Sequence, residues 1–214
     1  MTANTHALGG AAAALLACRL GVPCQAWPAA AAVGAFGGLL PDIDHPSSYL
    51  GRRVPLFSDG VNLVFGHRGA THSLLAACLF FVAAFLLACR WVPTAAAWSF
   101  AAYLLAGYLS HLFLDMLNPQ PVPLLWPLGY RARFPLPPVF GTGGPGEAYV
   151  VRPLVAAVAA YLCYLHLPVP QAAPSGVEAG PLAETASRAL GQMLQDLRKV
   201  LKFFIGLFVK VGTS

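Results

Sequence analysis

The stretch YLLAGYLSHLFLDMLN at residues 103–118 constrains the fold of this chain more than any other. It is apolar enough for a membrane helix, yet it carries His111 and Asp115. Because residues four apart lie one turn apart on a helix, this spacing puts an imidazole and a carboxylate on the same face. Ionisable side chains are costly in hydrocarbon and are usually kept there for a function. We therefore interpret the pair as half of a metal site.

The composition is that of an integral membrane protein. Of 214 residues, 57% are hydrophobic and 10% are charged, whereas a soluble domain carries about 25% charged residues. We expect an all-α, multi-pass helical bundle of about five membrane-embedded helices with a C-terminal amphipathic helix. The predicted domains are a membrane-embedded domain at 1–170, a linker at 171–180 and an amphipathic basic helix at 181–214.

The formal net charge of +5 comes mostly from arginine. The basic residues are scattered between apolar segments and form no basic patch with aromatic side chains, so we expect no nucleic-acid partner. The expected partners are membrane lipids and an anionic substrate. The N-terminus lacks the basic region of a signal peptide, so we expect no cleaved signal. We interpret the five cysteines as small buried hydrophobes because they lie in or beside apolar segments.

Counting apolar segments predicts that the unusual polar residues meet on one side of the membrane. The segments are 7–22, 26–40, 73–92, 94–117 and 150–167. The first two are short for a span, so they could instead form a buried hairpin that only partly crosses. If the chain crosses and reverses after each segment, four regions lie on the same side of the membrane. They are His6, residues 41–45, the loop ending at His72 and the end of the fourth segment. Arginine is more frequent on that side, at Arg52, Arg53, Arg68, Arg131, Arg133 and Arg152, with Arg19 and Arg90 opposite. The positive-inside rule therefore puts the shared side in the cytoplasm.

The imidazoles and carboxylates gathered on that side are the candidate metal ligands. Zinc takes such groups, usually in fours, and a catalytic site leaves a position for water. Two ions bridged by a shared carboxylate form a clamp for phosphoryl transfer. We expect one or two divalent ions, zinc first, with manganese and magnesium as alternatives. The predicted metal ligands are His6, Asp42, Asp44, His72, His111 and Asp115.

Four motifs occur in order along the chain. They are Thr5-His6, LLPDIDHPSSYLGRR at 39–53, GHRGATHS at 66–73 and GYLSHLFLDMLNPQPVPLLWP at 107–127. Together they resemble the bacterial inner-membrane-bound, metal-dependent hydrolase family (YdjM-like). The resemblance covers residues 1 to about 167 and leaves out the C-terminal helix. It implies a multi-pass protein of the bacterial inner (plasma) membrane.

A more distant similarity concerns the order His, Asp, His, HxxxD, which resembles the helical zinc-dependent phospholipases C and single-strand nucleases. Those enzymes hydrolyse phosphoesters with a zinc cluster between helices. The similarity implies that His6 and Asp115 hold one metal ion. A second ion would be held by Asp44 or Asp42, His72 and His111, with Asp115 bridging. Within the membrane domain only two further acids or histidines, Glu147 and His166, follow the HxxxD motif, so we do not expect a third ion. Without a cleaved signal, we also expect no ligating N-terminal amine.

Roles follow from these positions as hypotheses. The predicted catalytic residues are Asp42, Asp44, His67 and Arg68, where the aspartate that is not a ligand orients water or acts as base. His45 is a candidate outer partner of the ligands. The predicted substrate-binding residues, which would grip phosphate oxygens, are Arg52, Arg53, Arg68, Arg131 and Arg133. For the first two, positive-inside topology is an equal explanation.

We therefore expect a membrane-embedded metal-dependent hydrolase. It would be a phosphoesterase or phospholipase-like enzyme that uses a metal-activated water on a lipid or lipid-linked phosphate substrate. The alternative is a non-catalytic membrane protein with a structural or transported metal ion, whose site would be closed to water. The amphipathic pattern at 181–211 indicates either a helix on an anionic membrane surface or a self-association seam that makes a homo-oligomer.

Overall fold

The computed structural model describes residues 1–65, 69–137 and 140–167. Within these ranges the protein is all-helical, and an isolated β-bridge pairs Val122 with Ala132. The α-helices of the described ranges are α1 Ala3–Arg19, α2 Trp27–Gly37, α3 Pro55–Phe65, α4 Leu74–Ala88, α5 Thr94–Asp115 and α6 Arg152–His166. The predicted linker and C-terminal helix, and with it the self-association seam, lie outside the described residues.

Helix α5 is the centre of the bundle, because it packs against α1, α2 and α4. Its Tyr108 and Leu112 are buried in a cluster that also contains Leu40 and Ala77. Helix α1 packs against α6 on its other side. The last turns of α5 are therefore surrounded by other elements, which explains how polar side chains there are kept from lipid.

The backbones of α1, α2 and α5 touch at glycines. A Cβ atom on Gly10 would lie 2.1 Å from the carbonyl oxygen of Gly34, and one on Gly107 would lie 2.1 Å from the same oxygen. Such distances exclude any side chain, so glycine is what permits the close approach. This approach brings the start of α1 and the end of α2 beside the end of α5.

Two helical segments among the described residues are long and apolar enough to cross a membrane, fewer than the five expected. They are Thr94–Asp115 and Glu147–His166, the second of which begins with a π-helical turn and continues as α6. Helices α1, α2 and α4 have 17, 11 and 15 residues. At about 1.5 Å per residue, each is shorter than a hydrocarbon core of about 30 Å.

Helices α1 and α2 end at local turns. After α1, Gly21 takes a φ of 107°, which an α-helix cannot continue through. After α2, a 3-10 turn occupies Pro41–Asp44. Local turn geometry thus ends helices inside sequence that is still apolar.

Candidate metal centre

The candidate site lies where the start of α1 and the end of α5 meet two 3-10 turns. One turn, Pro41–Asp44, follows α2, and the other, Ala70–His72, precedes α4. The structure brings together the six side chains that the sequence singles out as ligands, and five of them are buried. The sixth, Asp42, keeps 21% of its side chain exposed. The cluster therefore has a buried interior and one accessible edge.

Four donor atoms face one another across a small gap. Nε2 of His72 lies 3.3 Å from Nε2 of His111. Oδ1 of Asp42 lies 3.6 and 3.7 Å from these two nitrogens, and Oδ2 of Asp115 lies 3.7 and 3.8 Å from them. A tetrahedral zinc ion with bonds of about 2.0–2.1 Å separates its ligands by roughly 3.3–3.4 Å. The donor types and the nitrogen–nitrogen distance match such a site, and the nitrogen–oxygen distances are a few tenths of an ångström wider.

Hydrogen bonds on the far sides of the two rings orient them. Nδ1 of His111 lies 2.7 Å from the carbonyl oxygen of Gly38, to which it donates, so the lone pair is on Nε2. Nδ1 of His72 lies 3.3 Å from Oδ2 of Asp44. Partners of this kind fix the tautomer and orientation of metal-binding histidines. Asp44 therefore faces the outer nitrogen of His72, whereas Asp42 faces the gap.

Asp44 is itself held by Thr71, whose hydroxyl donates to Oδ2 at 2.6 Å. The backbone carbonyl of Thr71 accepts a hydrogen bond from the hydroxyl of Tyr108 on α5. Because α5 also carries His111, this chain of bonds fixes the His72 turn relative to the other imidazole. Neither Thr71 nor Tyr108 was predicted, although Thr71 directly precedes a predicted ligand.

Asp42 and His72 stabilise each other's charged forms. Burial alone would lower the pKa of His72, but hydrogen bonds to Asp42 and Asp44 raise it to about 9. Burial opposes ionisation of Asp42, but the hydrogen bond to His72 and the nearby imidazoles hold its pKa below the ordinary value. A divalent cation in the gap would take over the role of this protonated imidazole.

His6 lies on the other side of Asp115. Its Nε2 is 3.2 Å from Oδ1 of Asp115, and its ring stacks on His111 at a centroid distance of 3.6 Å. The other ring nitrogen, Nδ1, is buried without a hydrogen bond among the described residues, which is uncommon because such groups cost free energy. His6, Asp42 and His111 also have donor atoms within 4.8 Å of one another. An ion between them would satisfy His6.

Asp115 thus presents one carboxylate oxygen to the gap between His72 and His111 and the other to His6. Oδ2 faces the gap, while Oδ1 accepts hydrogen bonds from the Met1 amino group at 2.6 Å and from the Asn118 side chain at 2.8 Å. Asn118 was not predicted, although it follows Asp115 by three residues. A carboxylate with one oxygen on each side has the geometry of a bridging ligand.

A cavity of about 840 Å³ opens beside the cluster. Asp42 and Asp115 line it, so it leads from the exterior to the carboxylates. Its other polar lining residues are Asn4, His45, Ser47, Ser48, Arg52, Asn118, Gln120 and Thr142. The space and its polarity suit a small, hydrophilic group rather than an apolar one.

The predicted arginines separate into different environments. Arg52 lines the cavity. Arg53 lies over the Tyr49 ring at 3.9 Å and donates to its carbonyl oxygen. Arg133 donates to the carbonyl oxygen of Pro119, and Arg131 is exposed; neither lines the cavity. His67 and Arg68 lie outside the described residues.

Glu147, considered in the sequence for a third metal, is buried among donors at the start of α1. Its Oε1 accepts hydrogen bonds at 2.6 Å from the backbone nitrogen and hydroxyl of Thr2 and from the hydroxyl of Thr5. Its Oε2 accepts from the backbone nitrogen of Gly143. Glu147 thus anchors the helix that carries His6. No local sequence pattern indicated this pairing, which spans more than 140 residues.

Comparisons with known proteins define the family. The family described as "YdjM inner membrane protein" matches residues 1–171. The chain is 47% identical over 102 residues to "Inner membrane protein YdjM" of Escherichia coli (strain K12) and of Shigella flexneri, which is 46% of this chain and 49% of each relative. It thus spans about half the length of these relatives.

A third relative is matched along nearly its whole length. The chain is 36% identical over 167 residues to "Uncharacterized protein YvsG" of Bacillus subtilis (strain 168), which is 77% of this chain and 96% of the relative. No solved structure matches the chain. The family match covers all of the described helices, including both segments able to cross a membrane. The chain therefore belongs to the YdjM inner membrane protein family and is a protein of the inner membrane.

Proposed function

We propose that this protein is a membrane-embedded, metal-dependent hydrolase that cleaves a phosphoester in a lipid or lipid-linked substrate. One observation carries the proposal. Nε2 of His72 lies 3.3 Å from Nε2 of His111, and Asp42 and Asp115 each place a carboxylate oxygen 3.6 to 3.8 Å from both nitrogens, beside a cavity with many polar lining residues. The cavity would let water reach an ion held by these donors, as in a catalytic site, whereas a structural site is closed to water.

The first ion would be held by His72, His111, Asp42 and Asp115. A second ion would use His6 and the other oxygen of Asp115. Because imidazole is a preferred ligand of zinc and a poor one for magnesium, the donor set favours zinc. When bound, such an ion acts as a Lewis acid and lowers the pKa of a coordinated water.

The chain's own residues would divide the remaining tasks. Asp42 would be a ligand through Oδ1, and because it also lines the cavity, its other carboxylate oxygen could orient water or receive its proton. Asp44 acts through His72 as a positioning residue and does not face the cavity side of the gap. Arg52 would bind phosphate oxygens from the cavity wall through charge-assisted hydrogen bonds.

A second cavity supports a lipid as substrate. It has a volume of about 640 Å³ and lies between α2, α4 and α5. Its lining is almost entirely apolar and runs from Leu40, beside the Asp42 turn, to Trp91, beyond the far end of α4. An acyl chain lying in it would be parallel to the helices, as lipid chains are in a bilayer.

The proposal is tested by hydrolysis with the full chain in detergent. The substrates are a panel of phospholipids and bis(p-nitrophenyl) phosphate. We expect turnover that a chelator abolishes and added Zn²⁺ restores, with one to two ions per chain by elemental analysis, as expected for sites of this kind. Turnover that survives complete metal removal would contradict the proposal. Bound metal without turnover on any substrate would favour a structural or transported ion instead.

The two neighbouring arginines give a matched test of substrate binding. Arg52→Gln should raise KM for a phosphoester by about 10-fold or more, because a hydrogen bond to a charged group contributes about 1.5–3 kcal/mol. Arg53→Gln removes the same charge from the same loop but from a side chain stacked on Tyr49, and its KM should stay near wild type. Steady-state kinetics decide the matter, and equal effects of both variants would show a general surface-charge effect.

A further inference from the structure

The turn after α1 folds the chain back onto the last turn of that helix. The backbone nitrogen of Val22 donates to the carbonyl oxygen of Ala17 at 3.0 Å, and that of Gly21 donates to Cys18 at 3.4 Å. With Gly21 at positive φ, this is a Schellman motif. The motif redirects the chain so that Cys24 returns beside Cys18.

The two thiols are in contact and are held there. Their Sγ atoms lie 2.6 Å apart, and both side chains pack against buried Tyr103 of α5. The Tyr103 hydroxyl donates to the carbonyl oxygen of Pro23, which fixes the residue directly before Cys24. Helix α1, its following turn and α5 thus place two cysteines within bonding reach.

This thiol pair lies at the end of α1 opposite to the metal centre. Cys18 follows His6 by 12 residues in the same helix, or about 18 Å along its axis. The excess of arginine near the metal centre puts that end in the cytoplasm. The cysteine end is then the end of α1 nearer the periplasm, the compartment in which disulfides form and persist.

We propose that Cys18 and Cys24 form an intramolecular disulfide at the periplasmic end of α1. The oxidant is the disulfide of a thiol oxidoreductase. The thiolate of Cys24, which lies in the turn, attacks that disulfide and forms a mixed disulfide. The thiolate of Cys18 then displaces the oxidoreductase. The chain loses two electrons and two protons, and the oxidoreductase leaves as a dithiol.

The chain offers a direct test because Arg19 separates the two cysteines. Cells expressing the full chain in an inner membrane are quenched with acid and N-ethylmaleimide, and the denatured protein is cleaved with trypsin without reductant. We expect peptide 1–19 linked to peptide 20–52, with the link lost after reduction and in Cys18→Ser. The matched control Cys78→Ser, at an exposed position on α4, should keep the link.

Maleimide on both Cys18 and Cys24 of the wild-type protein would overturn the proposal. The result is independent of the proposed hydrolase, because neither cysteine lines the cavity or the metal centre. Cys18→Ser and Cys24→Ser should therefore keep the metal content of the wild type, whichever way the disulfide test ends.

Discussion

Asp115→Asn should empty the metal centre and lower phosphoester hydrolysis by at least about 100-fold, since loss of an outer partner alone typically costs about 10- to 100-fold. Asp115 contributes to both parts of the cluster, with Oδ2 facing His72 and His111 and Oδ1 facing His6. Asparagine keeps the shape but removes the negative charge that offsets the cation. Metal per folded chain, by elemental analysis, and turnover are the measurements.

The control is Asp59→Asn, which makes the same chemical change at an exposed position on α3. Metal content and turnover should match the wild type. A helical circular dichroism spectrum for both variants separates loss of metal from loss of fold. If Asp115→Asn keeps its full metal complement, the proposed ligand set is wrong.

The same assay distinguishes the two aspartates of the 3-10 turn. Asp42 faces the gap between the imidazoles, so Asp42→Asn should behave like the Asp115 variant. Asp44 contacts the outer nitrogen of His72, so Asp44→Asn should weaken metal affinity by about 10- to 100-fold and leave a site that fills at higher zinc concentration. If Asp44→Asn empties the site and Asp42→Asn only weakens its affinity for metal, Asp44 is the ligand.

Gly107→Ala should destabilise the protein by about 3 kcal/mol, the upper part of the range for overpacking. The new Cβ would lie 2.1 Å from the Gly34 carbonyl oxygen and 2.8 Å from the Gly38 nitrogen. These are backbone atoms, so α5 must move away from α2. His111, one turn later, would then lose its hydrogen bond to Gly38, and metal affinity should fall as well. Thermal unfolding in detergent and zinc titration measure the two effects.

Gly60→Ala on α3 is the matched control, because a Cβ there meets nothing within 4 Å. Alanine favours helix over glycine by up to about 1 kcal/mol, so this variant should be as stable as the wild type or slightly more so. A Gly107→Ala protein that melts with the wild type would show that the three helices can separate without cost.

The sequence by itself determined the helical class, the membrane setting and the pairing of His111 with Asp115. High hydrophobicity with few charges leaves helices as the economical way to satisfy the backbone in a bilayer, and helical periodicity alone puts residues four apart on one face. It overestimated the number of spanning helices, because hydropathy does not register a turn such as Gly21 or the one that starts at Pro41.

Where two residues of the same type lie close together in the sequence, only the tertiary structure decided which of them faces the site. Asp42 and Asp44 share a 3-10 turn, where residues two apart point roughly 120° from one another, so their identical chemistry cannot tell which one faces the imidazoles. The same holds for Arg52 against Arg53, and for Cys18, whose contact with Cys24 depends on how the turn folds back. Sequence spacing fixes directions along one element, whereas distances between elements are set by how their backbones pack, here at Gly34 and Gly107.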